Sequence, residues 1–262
     1  MKRILPLLLC LSLLVLGGCS TPAADTPAEP LFGDHLDLSQ LSAAALADTV
    51  EYPDASDADE VLAAEIAETM GDAMTLYVYI TALPMDKEPL PEDAADQLPA
   101  EVYLSENGNP LTCPNTFRSC EITEEGVLVL RCYFNFDREV FRGQEITLHV
   151  EDWLGSSLAF TWEPTNEGPI RYADLKDEEG NMAGTFNLNM FSLNCTLWSP
   201  PFETFEETVR SIALLDENGQ EIPVTKVSLS GSTSTVHISF SNPIDPTTVK
   251  TVKIGPYTAE LL

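Results

Sequence analysis

Positive charge is what this sequence has least of. Only 13 of its 262 residues are Lys or Arg, against 42 Asp and Glu, for a formal net charge of -29. Nucleic-acid binding requires clustered Lys and Arg to neutralise phosphates, so this composition excludes nucleic acid as a partner. Histidine is nearly as scarce, and the three present, His35, His149 and His237, lie far apart. That leaves no His-based metal or acid–base set. No cysteine pair has the C-x(2–4)-C spacing of a zinc site, and the Gly-x-Ser-x-Gly turn of serine hydrolases is absent. No long helical pattern interrupts residues 75–262, which disfavours a parallel α/β sheet. Nothing calls for a cofactor or a metal, and no residues are assigned as catalytic. The expectation is a protein that is not an enzyme.

The first nineteen residues are informative. Lys2 and Arg3 precede a 13-residue stretch, Ile4 to Leu16, that is apolar except for Pro6 and Ser12. It falls short of the roughly 20 residues of a transmembrane helix but suits the core of a signal peptide. Leu16-Gly17-Gly18-Cys19 follows and resembles the lipobox of bacterial lipoproteins. The resemblance implies a signal peptide over 1–18, cleaved before Cys19, whose thiol takes a diacylglyceryl group. Several acyl chains on one residue anchor far more firmly than one. The protein is then expected outside the cytoplasm, on the outer face of the membrane.

Residues 19–55 read as a lipidated acidic tether. Ser20 to Pro30 is rich in Pro, Ala and Thr and lacks apolar periodicity, so it cannot bury enough surface to offset its ordering. From Cys19 to Glu101 there are 19 acidic residues and one base, Lys87. A weak helical signal lies at Ser39 to Ala47. A stronger one covers Asp57 to Met70, where Leu62, Ile66, Thr69 and Met70 share one helical face and Gly71 supplies a stop.

From residue 75 the periodicity becomes two. Leu76, Val78 and Ile80 alternate with Tyr77 and Tyr79. Leu128, Leu130, Cys132, Phe134 and Phe136 form one face, Ile146, Leu148 and Val150 another, and Leu158, Phe160 and Trp162 a third. Asn107-Gly108 is a strong hairpin signal. The pattern predicts antiparallel β-sandwich, Ig-like domains. A helix plus a first β domain is placed at 56–166 and a second β-sandwich at 167–262, with the polar stretch Asn166 to Gly184 as the junction. In the second set, Phe186, Leu188 and Met190 are followed by Phe191, Leu193, Cys195 and Leu197 in the opposite phase. That one-residue slip predicts a bulge or a strand changing sheets.

With Cys10 in the leader and Cys19 as lipid site, four cysteines remain. An even number outside the cytoplasm favours disulfides. Cys113 and Cys120 flank a short loop and are the best candidate pair; Cys132 and Cys195 fall on apolar faces and read as buried thiols or a second bridge. Trp162 reads as core, whereas Trp153 and Trp198 are candidates for stacking on a sugar. Asp152 and Glu163 have the residue types of a glycosidase pair, but in so acidic a chain such pairs arise by chance. Asp174, Asp177, Glu178 and Glu179 read as a solvated turn, because their spacing does not match a calcium loop. His237 alternates with Val236 and Ile238 and reads as an exposed strand residue.

The stretch from about Phe186 to the end carries Leu197-Trp198-Ser199-Pro200, a strand Val209 to Leu215 before Asp216-Glu217-Asn218-Gly219-Gln220, and Phe240-Ser241-Asn242-Pro243-Ile244-Asp245. In these features it resembles the extracytoplasmic β domains of Gram-positive anti-sigma-factor-like membrane proteins and related lipoproteins. The resemblance brings turn and strand signatures and no catalytic residues. Taken with the lipobox and the tether, the expectation is a surface lipoprotein that binds or senses something at the cell envelope. A protein contacted through exposed strand edges and loops is the first expectation; a glycan held on Trp153 or Trp198 is the alternative, and a hydrolase with an undetected site is the third.

Overall fold

The computed structural model describes residues 31–261 apart from 87, 88, 92, 114, 137 and 142. The leader, Cys19 and the first part of the tether lie outside the described residues. The fold is all-β and antiparallel, in two packed units that share a third apolar layer.

Before the sheets come a 3-10 turn, Leu31–Asp34, and one short helix, α1 (Ala43–Thr49). The Ser42 side chain caps α1 by accepting from the Ala45 N–H at 3.1 Å, satisfying one of the orphan donors of a helix start.

The first unit begins with β1 (Val50–Glu51), β2 (Ser56–Ala58), β3 (Leu62–Gly71) and β4 (Thr75–Pro84). It continues with β5 (Glu101–Glu106), β6 (Asn109–Pro110), β7 (Asn115–Ile122), β8 (Leu128–Asn135), β9 (Ile146–Trp153) and β10 (Ser156–Trp162). One sheet runs β1-β3-β4-β8-β7, with β2 added on β3; the other runs β10-β9-β5-β6. Alternation turns Leu76, Val78 and Ile80 of β4, and Leu128, Leu130 and Cys132 of β8, onto Leu148, Val150 and Phe160 of the facing sheet. The Asn107-Gly108 turn joins β5 to β6 with positive φ at both residues (51° and 76°), as a tight hairpin requires.

The helix expected over Asp57 to Met70 is instead strands β2 and β3. Alanine and glutamate suit a helix, but Leu62, Ala64 and Ile66 alternate into the core, and that tertiary burial outweighs propensity. The helical reading was invited by a bulge. The β3–β4 register shifts between Ile66 and Glu68, so Ala67 is the extra residue. Glu68 and Met70 therefore leave the first core and face the opposite side of the sheet. There Met70, Tyr79, Val129 and Tyr133 meet Phe32 and Leu36 from the N-terminal segment and Met190 and Phe191 from the second unit. Glu68 accepts from the N–H groups of Leu31, at 2.8 Å, and Phe32. The tether expected through residue 55 thus gives way to a packed strap in its described part, because Phe32, Leu36, Leu41 and Leu46 supply apolar surface to bury.

The second unit is one eight-stranded sheet. Its strands are β11 (Arg171–Lys176), β12 (Met182–Leu188), β13 (Ser192–Leu197), β14 (Ile212–Leu215), β15 (Lys226–Gly231), β16 (Thr235–Phe240), β17 (Thr251–Ile254) and β18 (Tyr257–Glu260). The order is β14-β17-β18-β11-β12-β13-β16-β15. β11 and β18 share one registered pair, Lys176↔Thr258, and the sheet folds over there to enclose Leu175, Phe186, Leu193, Val236, Ile238, Val252 and Ile254.

Two local expectations are corrected. The slip at Met190-Phe191 is a hairpin tip, not a bulge. Asn189 Oδ1 accepts from the N–H groups of Phe191 (3.0 Å) and Ser192 (2.7 Å), which turns the chain and drives both apolar side chains into the third layer. The strand expected from Val209 begins only at Ile212, because Phe205–Arg210 forms helix α2, capped by Thr204.

The junction is not a free linker. Asn166 Nδ2 donates to the Thr49 carbonyl at 2.6 Å, the Glu167 N–H to the Asp48 carbonyl at 2.8 Å, and the Thr165 N–H to Glu51 Oε2 at 2.9 Å. Gly168 forms a parallel bridge with Asp72.

Candidate functional site

The second unit presents two surfaces with binding chemistry, and both belong to the half-sheet β11-β12-β13-β16-β15. Register decides what each displays. Leu175, Phe186, Leu193, Cys195 and Ile238 point inward; their neighbours in sequence point outward.

On the outward face, Tyr172 pairs with Asn187, Asn187 with Asn194, Asn194 with His237, and His237 with Ser230. Five strands therefore line up five polar side chains in one row. The row is internally bonded. Asn194 Nδ2 donates to Asn187 Oδ1 at 2.8 Å, and Asn194 Oδ1 contacts His237 Nδ1. His237 Nε2 lies 3.1 Å from Asn135 Nδ2, at the end of β8 in the first unit. The Tyr172 hydroxyl donates to Glu139 Oε1 at 2.9 Å, again across the junction. The next row outward is Asp174, Thr185, Thr196 and Thr235. Together these residues line an open groove of about 690 Å³ on the second unit, a volume within the range of ligand sites. Tyr172 is 57% exposed. His237 is half-buried within the row rather than an exposed strand residue.

The second surface is the edge. β15 is last in the sheet order, and its apolar side chains overhang the core: Val227 is 61% exposed and Leu229 is 47% exposed. At the start of β15, Lys226 Nζ donates to the carbonyls of Val209 (2.9 Å) and Ile212 (3.4 Å). Partial burial lowers its pKa, and Glu221 opposes that shift.

The residues singled out in the sequence are scattered. Trp198 follows β13 and is 58% exposed. It continues the outward alternation Asn194, Thr196, beyond the groove. Trp153 is fully buried and cannot stack on a ligand. Asp152 adopts a positive φ of 55°, and the β9–β10 register shifts beside it. The side-chain phase therefore changes and turns Trp153 into the first core. Trp162 is also buried there.

Cys113 and Cys120 do not bridge. Cys120 lies on extended β7, five residues beyond its first residue, a span of roughly 17 Å at the usual strand rise, whereas a disulfide needs Cα atoms within about 7 Å. Cys113 Sγ instead donates to the Asn135 carbonyl at 3.4 Å, and Cys120 Sγ lies 3.9 Å from the Ala94 carbonyl. Cys132 and Cys195 sit in different cores, where burial pushes each thiol up to about 12. The Asp177 carboxylate accepts from the N–H groups of Glu179 (2.9 Å) and Asn181 (2.8 Å); these bonds hold its pKa low, with the Asn181 side chain the largest cause. It caps its own turn.

At the junction, Asp72 is completely buried. Its Oδ1 accepts from the N–H groups of Met74 (2.7 Å) and Thr75 (2.9 Å). Burial outweighs these bonds and raises its pKa to about 6.

No family model and no curated protein matches the chain. Among solved structures, it is similar to a conserved domain protein from Bacillus anthracis, with 10% identity over 78% of this chain and 75% of that one, at a TM-score of 0.41. That likeness carries no information on ligand or partner.

Proposed function

We propose that the chain is a cell-surface lipoprotein, held through Cys19 on the outer face of the membrane, that binds a protein partner in the envelope and does no catalysis. The observation supporting a protein contact is β15. An edge strand offers unpaired backbone groups to an incoming strand, and Val227 and Leu229 offer apolar contacts beside them. Solvent-exposed apolar residues on an edge are an aggregation hazard unless a partner covers them. With a net charge of -29, the chain favours a neutral or basic extended segment as that partner. The glycan reading through Trp153 is withdrawn, since that ring is core.

A photo-reactive residue at Val227 or Leu229, in the full chain in growing cells, is expected to give one discrete cross-linked species. The same probe at Glu206 on α2 is expected to give none. No adduct from either edge position under several growth conditions, or equal adducts from Glu206, would remove the protein-partner reading. Anchoring is tested separately: Cys19→Ala should release the protein or leave an unprocessed precursor, and normal cleavage with unchanged membrane retention would contradict it.

A further inference from the structure

We infer that the groove on the outward face of β11, β12, β13 and β16 binds an uncharged oligosaccharide. This goes beyond the edge contact and does not depend on it, because Val227 and Leu229 lie on the edge strand outside the groove's polar rows.

The floor of the groove has the chemistry a sugar requires and is fixed in advance. Asn187, Asn194 and His237 occupy one registered row, and each is oriented by a neighbour. An amide has two N–H donors and two acceptor positions, so the bonds that hold each one in place do not exhaust it. Planar amides at strand spacing, about 4.8 Å apart, suit a rigid ligand carrying hydroxyls at regular intervals. Tyr172, pinned through its hydroxyl to Glu139, supplies an exposed ring for the apolar C–H face of a pyranose, the usual amphipathic use of tyrosine. The hydroxyls of Thr185 and Thr196 extend the polar surface one row further.

Charge selects against other ligands. No Lys or Arg lines the groove, so a phosphate, a lipid headgroup or an acidic sugar finds no countercharge within an already acidic protein. Asp174 is the one carboxylate in the lining, too little for a cation. A lipid chain laid on the rows of Asn, Thr and His would leave their polar groups unpaired.

The test is calorimetric titration of the full chain in detergent with chitotetraose, cellotetraose and maltotetraose, and with tetragalacturonate as the anionic counterpart. At least one uncharged tetraose should bind with a dissociation constant of about 1 mM or tighter, and tetragalacturonate should not. Tyr172→Ala should weaken binding by about tenfold and Asn187→Ala by about fivefold, while Tyr172→Phe, which keeps the ring, stays near the parent. Melting curves establish that each variant is folded. If Tyr172→Ala does not fold, Thr185→Val, an exposed near-isosteric change, takes its place with about a threefold loss expected. Absence of binding by all three uncharged sugars at about 10 mM, preference for tetragalacturonate, or binding indifferent to the folded variants overturns the inference. None of these results bears on the cross-link from β15.

Discussion

His237 Nε2, on β16 of the second unit, lies 3.1 Å from Asn135 Nδ2, on β8 of the first. Asn194 Oδ1 contacts the other ring nitrogen. Together the two contacts hold the ring from both nitrogens. The row that floors the groove is thereby tied to the neighbouring unit. A double-mutant cycle of Asn135→Ala and His237→Ala, read by denaturant unfolding, should give a coupling of about 1 kcal/mol. Strict additivity would mean that the contact holds nothing together.

Gly168 packs tightly against the ends of β3 and α1. A Cβ there would stand 2.6 Å from the Gly71 carbonyl oxygen and 2.9 Å from both Asp72 Cβ and Thr49 Cγ2. The nearest obstacle is backbone and cannot swing away. Gly168→Ala should therefore cost about 2 kcal/mol, seen as a lower melting temperature. An unchanged melting curve would show that the junction is looser than described.

Asp72 gives the protein an unusual pH dependence. Its folded pKa of about 6 stands above the ordinary 3.8, so the folded chain holds a proton that the unfolded chain has released. Its contribution is greatest below about pH 4, is lost as pH rises through about 6, and is flat beyond. The shift corresponds to about 3 kcal/mol at most. Asp59 and Asp245, held low by hydrogen bonds that outweigh burial, act in the opposite sense and lose stability as pH falls below their ordinary range. Asp72→Asn keeps an acceptor for Met74 and Thr75 and removes the titration. Subtracting its stability profile from that of the parent should leave a step confined to pH 4–6. A flat difference would place Asp72 in contact with water.

The four cysteines should separate into two classes toward a thiol reagent in the native protein. Cys113 and Cys120 are half-buried, whereas Cys132 and Cys195 are buried with their thiols pushed up to about 12. Peptide mapping after brief labelling is expected to find Cys113 and Cys120 modified first. Recovery of a Cys113–Cys120 disulfide would contradict the extended geometry of β7.

Strand alternation made most of the fold legible. Leu76, Val78 and Ile80, or Ile146, Leu148 and Val150, each announce one buried face, and Asn107-Gly108 announces its turn. The errors occur where the phase of that alternation changes. Ala67 and Asp152 each shift the phase by one position, which gave β3 the look of a helix and turned Trp153 inward. Neither residue advertises a bulge by its type. β11 reads as part of a polar junction because Leu175 is its one fully buried large residue. The groove was illegible for a different reason. Tyr172, Asn187, Asn194 and His237 are ordinary polar residues in sequence, and only the register of four strands makes them neighbours.

The grip of Glu68 on Leu31 and Phe32 has a structural consequence. That carboxylate fixes the start of the strap, and the Phe32 ring packs edge-on against Tyr77 and Tyr79. The strap fixed in this way lies on the sheet face that also packs against Met190 and Phe191, so losing the Glu68 contacts would loosen a layer that both units share.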